Sequence, residues 1–253
     1  STTVISVKNL QNITAVAAGY EHSLALDNKG QVWAWGRNNK GQLGIGSTDD
    51  STIPVQINGL NGVAAIAAGK EHSLALDHNG KVWAWGSDCY RQLGQGSDRQ
   101  KDSNVPVQVV NLSGVAAIAA NDYYSVALKD DGTVWDWGLV HPGNFTSPNW
   151  TFVPGQVPGL IGACAIAVGP NHGVALREDG TVWAWGDNGY GQLGKNDYIK
   201  ETSLNRGLAN QVDGLTEIKA VAAGNYYGVA LREDGSVWAW GYNKYGQLGD
   251  GTT

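Results

Sequence analysis

The chain has 253 residues, 42% of them hydrophobic and 16% charged, which is enough to bury a core in one or two domains and too apolar for a disordered segment. A net charge of −6 without any basic stripe argues against nucleic acid as a partner, because phosphate binding needs clustered Lys and Arg. No apolar run reaches 18 residues, so no membrane span is expected.

In chain order, the first expected element is a strand over residues 4–10, "VISVKNL". Short apolar runs follow, "AVAAG", "HSLAL" and "QVWAW", divided by turns, and they read as strands. The turn between the second and third runs ends at Gly30, and its counterparts further along end at Gly80, Gly132, Gly180 and Gly235. Glycine there supplies the positive φ of a tight hairpin. A G-x-N-x-x-G-Q-L-G loop comes next, and then a fourth run such as "IPVQI" at 53–57 or "VPVQV" at 105–109, where proline suits an edge strand.

This unit is written five times. The first Trp of each W-x-W lies at Trp33, Trp83, Trp135, Trp183 and Trp238, at intervals of 50, 52, 48 and 55, and of eleven tryptophans only Trp150 stands outside the pairs. The approximate repeat bounds are 11–57, 61–109, 113–157, 161–212 and 216–253. A repeat of this length with four strands is the arithmetic of a propeller blade. We expect an all-β, five-bladed β-propeller filling residues 1–253 as a single domain. Residues 4–10 are expected to complete the last blade, closing the ring and removing the exposed sheet edges. The paired tryptophans are expected to pack the blades together, each large side chain contributing roughly 1.5–3 kcal/mol or more when buried.

The sentence A-A-G-x-x-H-S-L-A-L-x-x-x-G-x-V-W-A-W-G-x-N-x-x-G-Q-L-G resembles the repeat of the regulator of chromosome condensation family, over essentially the whole chain. The resemblance implies a β-propeller and a binding function. Among the kinds of protein in that family are an exchange factor for a small GTPase, a plant ultraviolet photoreceptor and a secreted bacterial inhibitor of β-lactamases. The photoreceptor's G-W-R-H-T signature is absent here, as are the basic elements of the exchange factor. The resemblance is therefore nearest to the secreted inhibitor, although the best-known members have seven blades.

Positions that vary between copies are where specificity is expected. One set lies between the first and second strands and includes Tyr20, Glu21, Lys70, Tyr123 and Tyr226; the other lies after W-x-W-G and includes Arg37, Lys40, Tyr90, Arg91, Tyr190 and Tyr245. Strand reversal places both sets on one rim, whose Tyr-rich composition suits protein binding. The resemblance to the inhibitor places Tyr20, Tyr90, Tyr123, Tyr190, Tyr226 and Tyr245 at such a contact. The tyrosines can instead be lodged over the channel.

His22, His72 and His172 share one repeat position with Tyr124 and Tyr227, which points to a hydrogen bond with the adjacent blade more than to a metal ring. The third copy departs from the pattern. It has Asp136 in place of Ala between its tryptophans, and "LVHPGNFTSPNW" at 139–150 in place of the G-Q-L-G loop. Trp150 there is either a protruding contact or a ring folded onto the blade. Cys89 reads as a loop thiol and Cys164 as a buried one.

No G-x-S-x-G, H-E-x-x-H or Walker pattern occurs, so no catalytic residues, metal or cofactor are expected. The chain contains no methionine and opens at Ser1, which we read as a removed leader and an extracellular or cell-surface location. The expected partner is a protein, with a β-lactamase as the example. A lectin or a nucleotide-exchange factor is the alternative, and the chain is expected to be a monomer.

Overall fold

A computed structural model describes residues 3–96, 101–139, 153–170, 172–195 and 207–253. Every described strand belongs to one of five antiparallel sheets, each a meander in chain order. Blade one holds β1 (Ile13–Ala18), β2 (His22–Asp27), β3 (Val32–Gly36) and β4 (Ser51–Gln56). Blade two holds β5 (Val63–Ala68), β6 (His72–Asp77), β7 (Val82–Gly86) and β8 (Ser103–Gln108). Blade three holds β9 (Val115–Asn121), β10 (Tyr124–Lys129), β11 (Val134–Gly138) and a short β12 (Gly155–Gln156). Blade four holds β13 (Ala163–Val168), β14 (His172–Arg177), β15 (Val182–Gly186) and β16 (Asn210–Gln211). Blade five stops at three strands: β17 (Ile218–Ala223), β18 (Tyr227–Arg232) and β19 (Val237–Gly241).

The hairpin turns follow the expected chemistry. In blade one the Asp27 carboxylate accepts the Lys29 and Gln31 amides, each at 2.9 Å, and Gly30 takes φ 74°. The same turn then reaches forward, because the Gly30 carbonyl accepts the Val63 amide of blade two at 3.3 Å. Equivalent bonds join Gly80 to Val115, Gly132 to Ala163 and Gly180 to Ile218. Each turn thus ties one blade to the next.

The apolar core lies between blades. Leu24, Leu26, Val32 and Leu43 of blade one are buried with Val63, Ala75 and Trp85 of blade two, and three further clusters repeat the arrangement. First strands pack side by side from β1 to β17, their alanines allowing close approach. The two tryptophans of a pair divide the work. Trp85, Trp137 and Trp185 are buried at the interfaces, whereas Trp33, Trp83, Trp135 and Trp183 are half-buried near the turns. The second Trp also donates across the interface. Trp85 bonds the Gln42 carbonyl at 2.9 Å, Trp137 the Gln92 carbonyl at 2.8 Å and Trp240 the Gln192 carbonyl at 2.9 Å. The Q of the G-Q-L-G loop is thereby part of the next blade's interface.

Two expectations are corrected. Among the described residues, 4–10 form no strand and add none to the three-stranded sheet of blade five, and Val4 and Ile5 are exposed. Among the described residues the first-strand packing runs from β1 through β5, β9 and β13 to β17. Cys164 is exposed: a register shift between Ala163 and Ala165 at the start of β13 turns its side chain outward, where the thiol donates to the Leu176 carbonyl at 3.4 Å.

The glycine of the A-A-G run leaves room for the ring at the shared His position. A Cβ on Gly69 would lie 2.1 Å from the His72 ring and 2.8 Å from the Asp122 carbonyl. His72 is fully buried and cannot retreat into solvent. Gly69→Ala is expected to cost about 2–4 kcal/mol through overpacking. Urea melts would read this as a lowered midpoint, and an unchanged midpoint would mean the ring moves freely.

Candidate functional site

The candidate site is the rim formed by the first turns and the loops after W-x-W-G. The loops are rigidly built by the residues that do not vary. In blade one the Asn38 side chain accepts the Leu43 amide at 2.9 Å and the Gln42 side chain accepts the Lys40 amide at 2.9 Å. The Gln bond recurs from Gln92 to Tyr90 and from Gln192 to Tyr190, each at 2.8 Å, and from Gln247 to Tyr245 at 2.9 Å. A fixed backbone therefore presents Lys40, Tyr90, Tyr190 and Tyr245 at one equivalent position.

The two variable sets meet across blade boundaries. Tyr90 of blade two contacts Tyr123 of blade three, ring centroids 4.8 Å apart, and Tyr190 of blade four contacts Tyr226 of blade five at 5.0 Å. Tyr242 sits 4.7 Å from Tyr190 and 6.3 Å from both Tyr226 and Tyr245, in edge-on arrangements. These four tyrosines form one aromatic cluster. Tyr242 was not singled out from sequence, although it occupies the variable position that Arg37 holds in blade one. Tyr226 adopts φ 65°, a left-handed conformation that costs a non-glycine residue roughly 1–2 kcal/mol.

Tyr20 is 73% exposed and Tyr245 79%, while Tyr90, Tyr123 and Tyr226 are half-buried by their ring partners. Lys70 lies between Tyr20 and Tyr123, its ammonium 5.3 Å from each ring centroid. A hydrogen bond with the Tyr123 hydroxyl raises the Lys70 pKa. Beside it the inner ends of β1, β5 and β9 frame a depression of about 250 Å³, lined in part by Gly19, Tyr20, Lys70, Asn121 and Asp122. Glu21 pairs with Arg37 on the exposed rim, and Lys40 reaches Asp102 at 3.3 Å.

Arg91 belongs to the loop's construction. It takes φ 67° and its amide donates to the Asp88 carbonyl at 3.0 Å, the place held by Gly41, Gly191 and Gly246 in other copies. Trp150 lies outside the described residues. Two of the three histidines bond the next blade, His22 Nε2 lying 2.9 Å from Ser73 Oγ and His72 Nε2 3.0 Å from Ser125 Oγ, whereas the ring nitrogens of His172 have no such partner among the described residues. Burial lowers the pKa values of His22 and His72 to about 4 and about 3, the charge on His22 adding to the effect at His72.

Blade three solves a problem of its own. With the G-Q-L-G loop replaced, no Gln carbonyl of that loop awaits Trp185. Asn121 also stands where other copies have the A-A-G glycine. Tyr124 instead donates to Asp136 at 2.8 Å, and Trp185 donates to the Tyr124 oxygen at 2.6 Å and to Asp136 at 3.2 Å. Asp136 for Ala is thus a compensating substitution within the interface. Burial raises its pKa to about 6 against the pull of those two donors.

Two family models described as the regulator of chromosome condensation (RCC1) repeat match the chain, one over residues 29–76, 79–128 and 179–231 and the other over 13–42, 63–92, 163–192 and 218–247. The chain belongs to the regulator of chromosome condensation repeat family. Residues 129–162 are matched by neither model, in keeping with the rebuilt interface of blade three. The Arabidopsis thaliana ultraviolet-B receptor UVR8 is 31% identical over 98% of this chain, which covers 46% of that protein. Protein pim1 of Schizosaccharomyces pombe is 28% identical over 96% of this chain and 29% of its own length. The crystal structure of human WBSCR16 superposes with a TM-score of 0.77 at 25% identity, covering 95% of this chain and 64% of that one. The structure of Prp20p from Saccharomyces cerevisiae, titled for its binding to Gsp1p and histones, gives a TM-score of 0.69 at 21% identity over 95% and 74% of the two chains. The chain spans less than half the length of these curated relatives.

Proposed function

We propose that this chain is a non-enzymatic propeller segment that binds a protein partner on its tyrosine-rich rim. The reading rests on one observation: the variable tyrosines from different blades meet in pairs and in a cluster on a backbone that the Asn and Gln side chains hold fixed. Rigid aromatic surfaces suit protein recognition because little ordering entropy is lost on association. Inhibition of an enzyme by occlusion, with a β-lactamase as the candidate, and an extracellular location are the finer form of this proposal. The relatives named above come from plant, yeast and human sources, and the second candidate partner, a small GTPase, is what the resemblance to the family's exchange factor implies. A lectin with five equivalent sugar sites fits poorly, since the rings cluster unevenly between blades four and five.

Titration calorimetry with a class A β-lactamase and with a nucleotide-loaded small GTPase, plus a nucleotide-release assay, tests the proposal. One-to-one binding to either, weakened about tenfold or more by Tyr190→Ala with Tyr245→Ala, is the expected result. Binding that the double variant leaves unchanged, or no binding to either protein, would remove the rim reading.

A further inference from the structure

Asparagine followed by glycine is prone to close on itself, because a residue without a Cβ leaves its amide nitrogen open to approach by the preceding side chain. Four such steps occur in the chain: Asn58–Gly59, Asn61–Gly62, Asn79–Gly80 and Asn188–Gly189. The structure holds two of them. Asn79 sits in the hairpin turn of blade two, where its own amide donates to the Asp77 carboxylate at 2.9 Å and the Gly80 amide donates to the Asp77 carbonyl at 3.0 Å. Asn188 sits in the loop after W-x-W-G, its side-chain oxygen accepting the Leu193 amide at 3.0 Å while the Gly189 amide donates to the Asp187 carboxylate at 3.3 Å. In both steps the glycine N–H is engaged, and at Asn188 the side-chain carbonyl is engaged as well.

The other two steps are left open. Residues 58–62, Asn-Gly-Leu-Asn-Gly, join blade one to blade two on the rim opposite the tyrosines. The segment is anchored on either side by the Ile57 amide on the Val32 carbonyl at 2.8 Å and the Val63 amide on the Gly30 carbonyl at 3.3 Å, and in its middle by the buried Leu60. Between those anchors Asn58, Gly59, Asn61 and Gly62 are exposed, and among the described residues no hydrogen bond engages either Asn side chain or either glycine amide. The same segment walls a polar groove of about 230 Å³ that Lys29 and Gln31 also line, wide enough to admit water. The later junctions do not repeat the arrangement: at the positions of Asn58 and Asn61 stand Val110 and Ser113, Pro158 and Ile161, and Asp213 and Thr216.

We propose that Asn58 and Asn61 are sites of spontaneous deamidation, which modifies the junction between blades one and two and loosens it. Hydroxide takes the proton of the glycine amide, and that nitrogen attacks the Asn side-chain carbonyl carbon. A carbon–nitrogen bond forms to the main chain, the bond to the side-chain nitrogen breaks, and ammonia leaves with a proton from water. Water then opens the cyclic succinimide at either carbonyl, giving aspartate or isoaspartate. The sum is hydrolysis of one side-chain amide, with water as the only co-reactant and no change of oxidation state. Each conversion adds one negative charge to the net −6. Isoaspartate also lengthens the main chain by one carbon between Ile57 and Val63, whose two bonds fix the spacing of the blades.

The test is peptide mapping by mass spectrometry of the 253-residue chain aged in mildly alkaline buffer. Trypsin separates the steps: residues 41–70 carry Asn58 and Asn61, residues 71–81 carry Asn79 and residues 178–195 carry Asn188. A hydrogen bond that must break before attack slows the step about five- to tenfold, so the first peptide should gain the deamidation mass faster than the other two by that factor per site, and split into aspartate and isoaspartate forms. In concentrated urea, with every turn released, the four rates should converge. Equal rates in the folded chain, or a lead by Asn79 or Asn188, would overturn the proposal. A lead by residues 41–70 that persists in urea would overturn it too, by tracing the selectivity to sequence and not to the fold. The urea midpoint of the aged chain should fall, whereas Asn58→Gln with Asn61→Gln, which alters two exposed side chains, should keep the parent's fresh midpoint through the same ageing. A deamidated chain with an unchanged midpoint would overturn the loosening of the junction.

Discussion

Acidification from pH 7 to pH 4 is expected to unfold this protein. His22, His72 and His172 sit between blades as neutral rings, their pKa values lowered by burial from 6.5 to about 4, about 3 and about 4. A histidine whose folded pKa is depressed stabilises the fold fully above its unfolded value. That contribution is lost as pH falls from 6.5 through the folded value. Each shift corresponds to about 3–5 kcal/mol at most, so three together are comparable with the whole stability of a typical domain, about 5–15 kcal/mol. Asp136 and Asp88, both raised by burial, act in the opposite direction, while the lowered carboxyls of Asp27, Asp131, Asp179, Asp234 and Asp250 act with the histidines. His172 is the place to test this. Both of its ring nitrogens lack partners among the described residues, because blade five has Gly228 where blades two and three supply Ser73 and Ser125. Its equivalent in blade five is Tyr227, seated against Gly224 as His172 is against Gly169. His172→Tyr is expected to lower the midpoint of acid unfolding, read by tryptophan fluorescence against pH. A wild-type protein that stays folded at pH 3.5, or a variant with the parent's midpoint, would contradict the burial argument.

The repeat made most of this architecture legible in advance, because its period, turn glycines and apolar runs are local signals that five copies reinforce. The strands at 13–18, 22–27 and 32–36 fall where alternating runs and Gly30 place them. Closure was not legible. Residues 4–10 have the composition of a fourth strand, yet in the structure they pair with no strand. The rim tyrosines could be placed on one side by strand direction alone. Their pairing across blade boundaries needed coordinates, since Tyr90 and Tyr123 are brought together by the packing of two sheets. Arg91 shows that a residue that varies between copies can also stand at a turn position that glycine holds elsewhere. Asp136 was visible as a departure, but its purpose depends on a missing carbonyl in another loop, which no single position reveals.

That dependence makes blade three the most informative place to mutate. Replacing Asp136 with the alanine found in the other copies is expected to destabilise the protein, although it restores the repeat. The Tyr124 hydroxyl, buried and with its pKa pushed well above 10 by burial and the neighbouring carboxylate, would lose its acceptor at a cost of about 1–3 kcal/mol. Trp185 would keep only the Tyr124 oxygen, because blade three has no Gln carbonyl to replace Asp136. Asp136→Asn should behave differently. Its amide oxygen still accepts from Tyr124 and Trp185, while the charge is gone. A carboxyl raised from 3.8 to about 6 in the fold contributes stability that is complete below pH 3.8 and disappears as pH rises through 6, leaving a penalty of up to about 3 kcal/mol at neutral pH. The asparagine variant avoids that penalty. Urea denaturation at pH 5 and pH 8 should therefore show Asp136→Ala less stable than the parent at both, and Asp136→Asn gaining on the parent at the higher pH. Equal stabilities of parent and alanine variant would mean that the Tyr124–Asp136–Trp185 bonds contribute nothing net to the blade interface, and that the third copy tolerates its missing loop by packing alone.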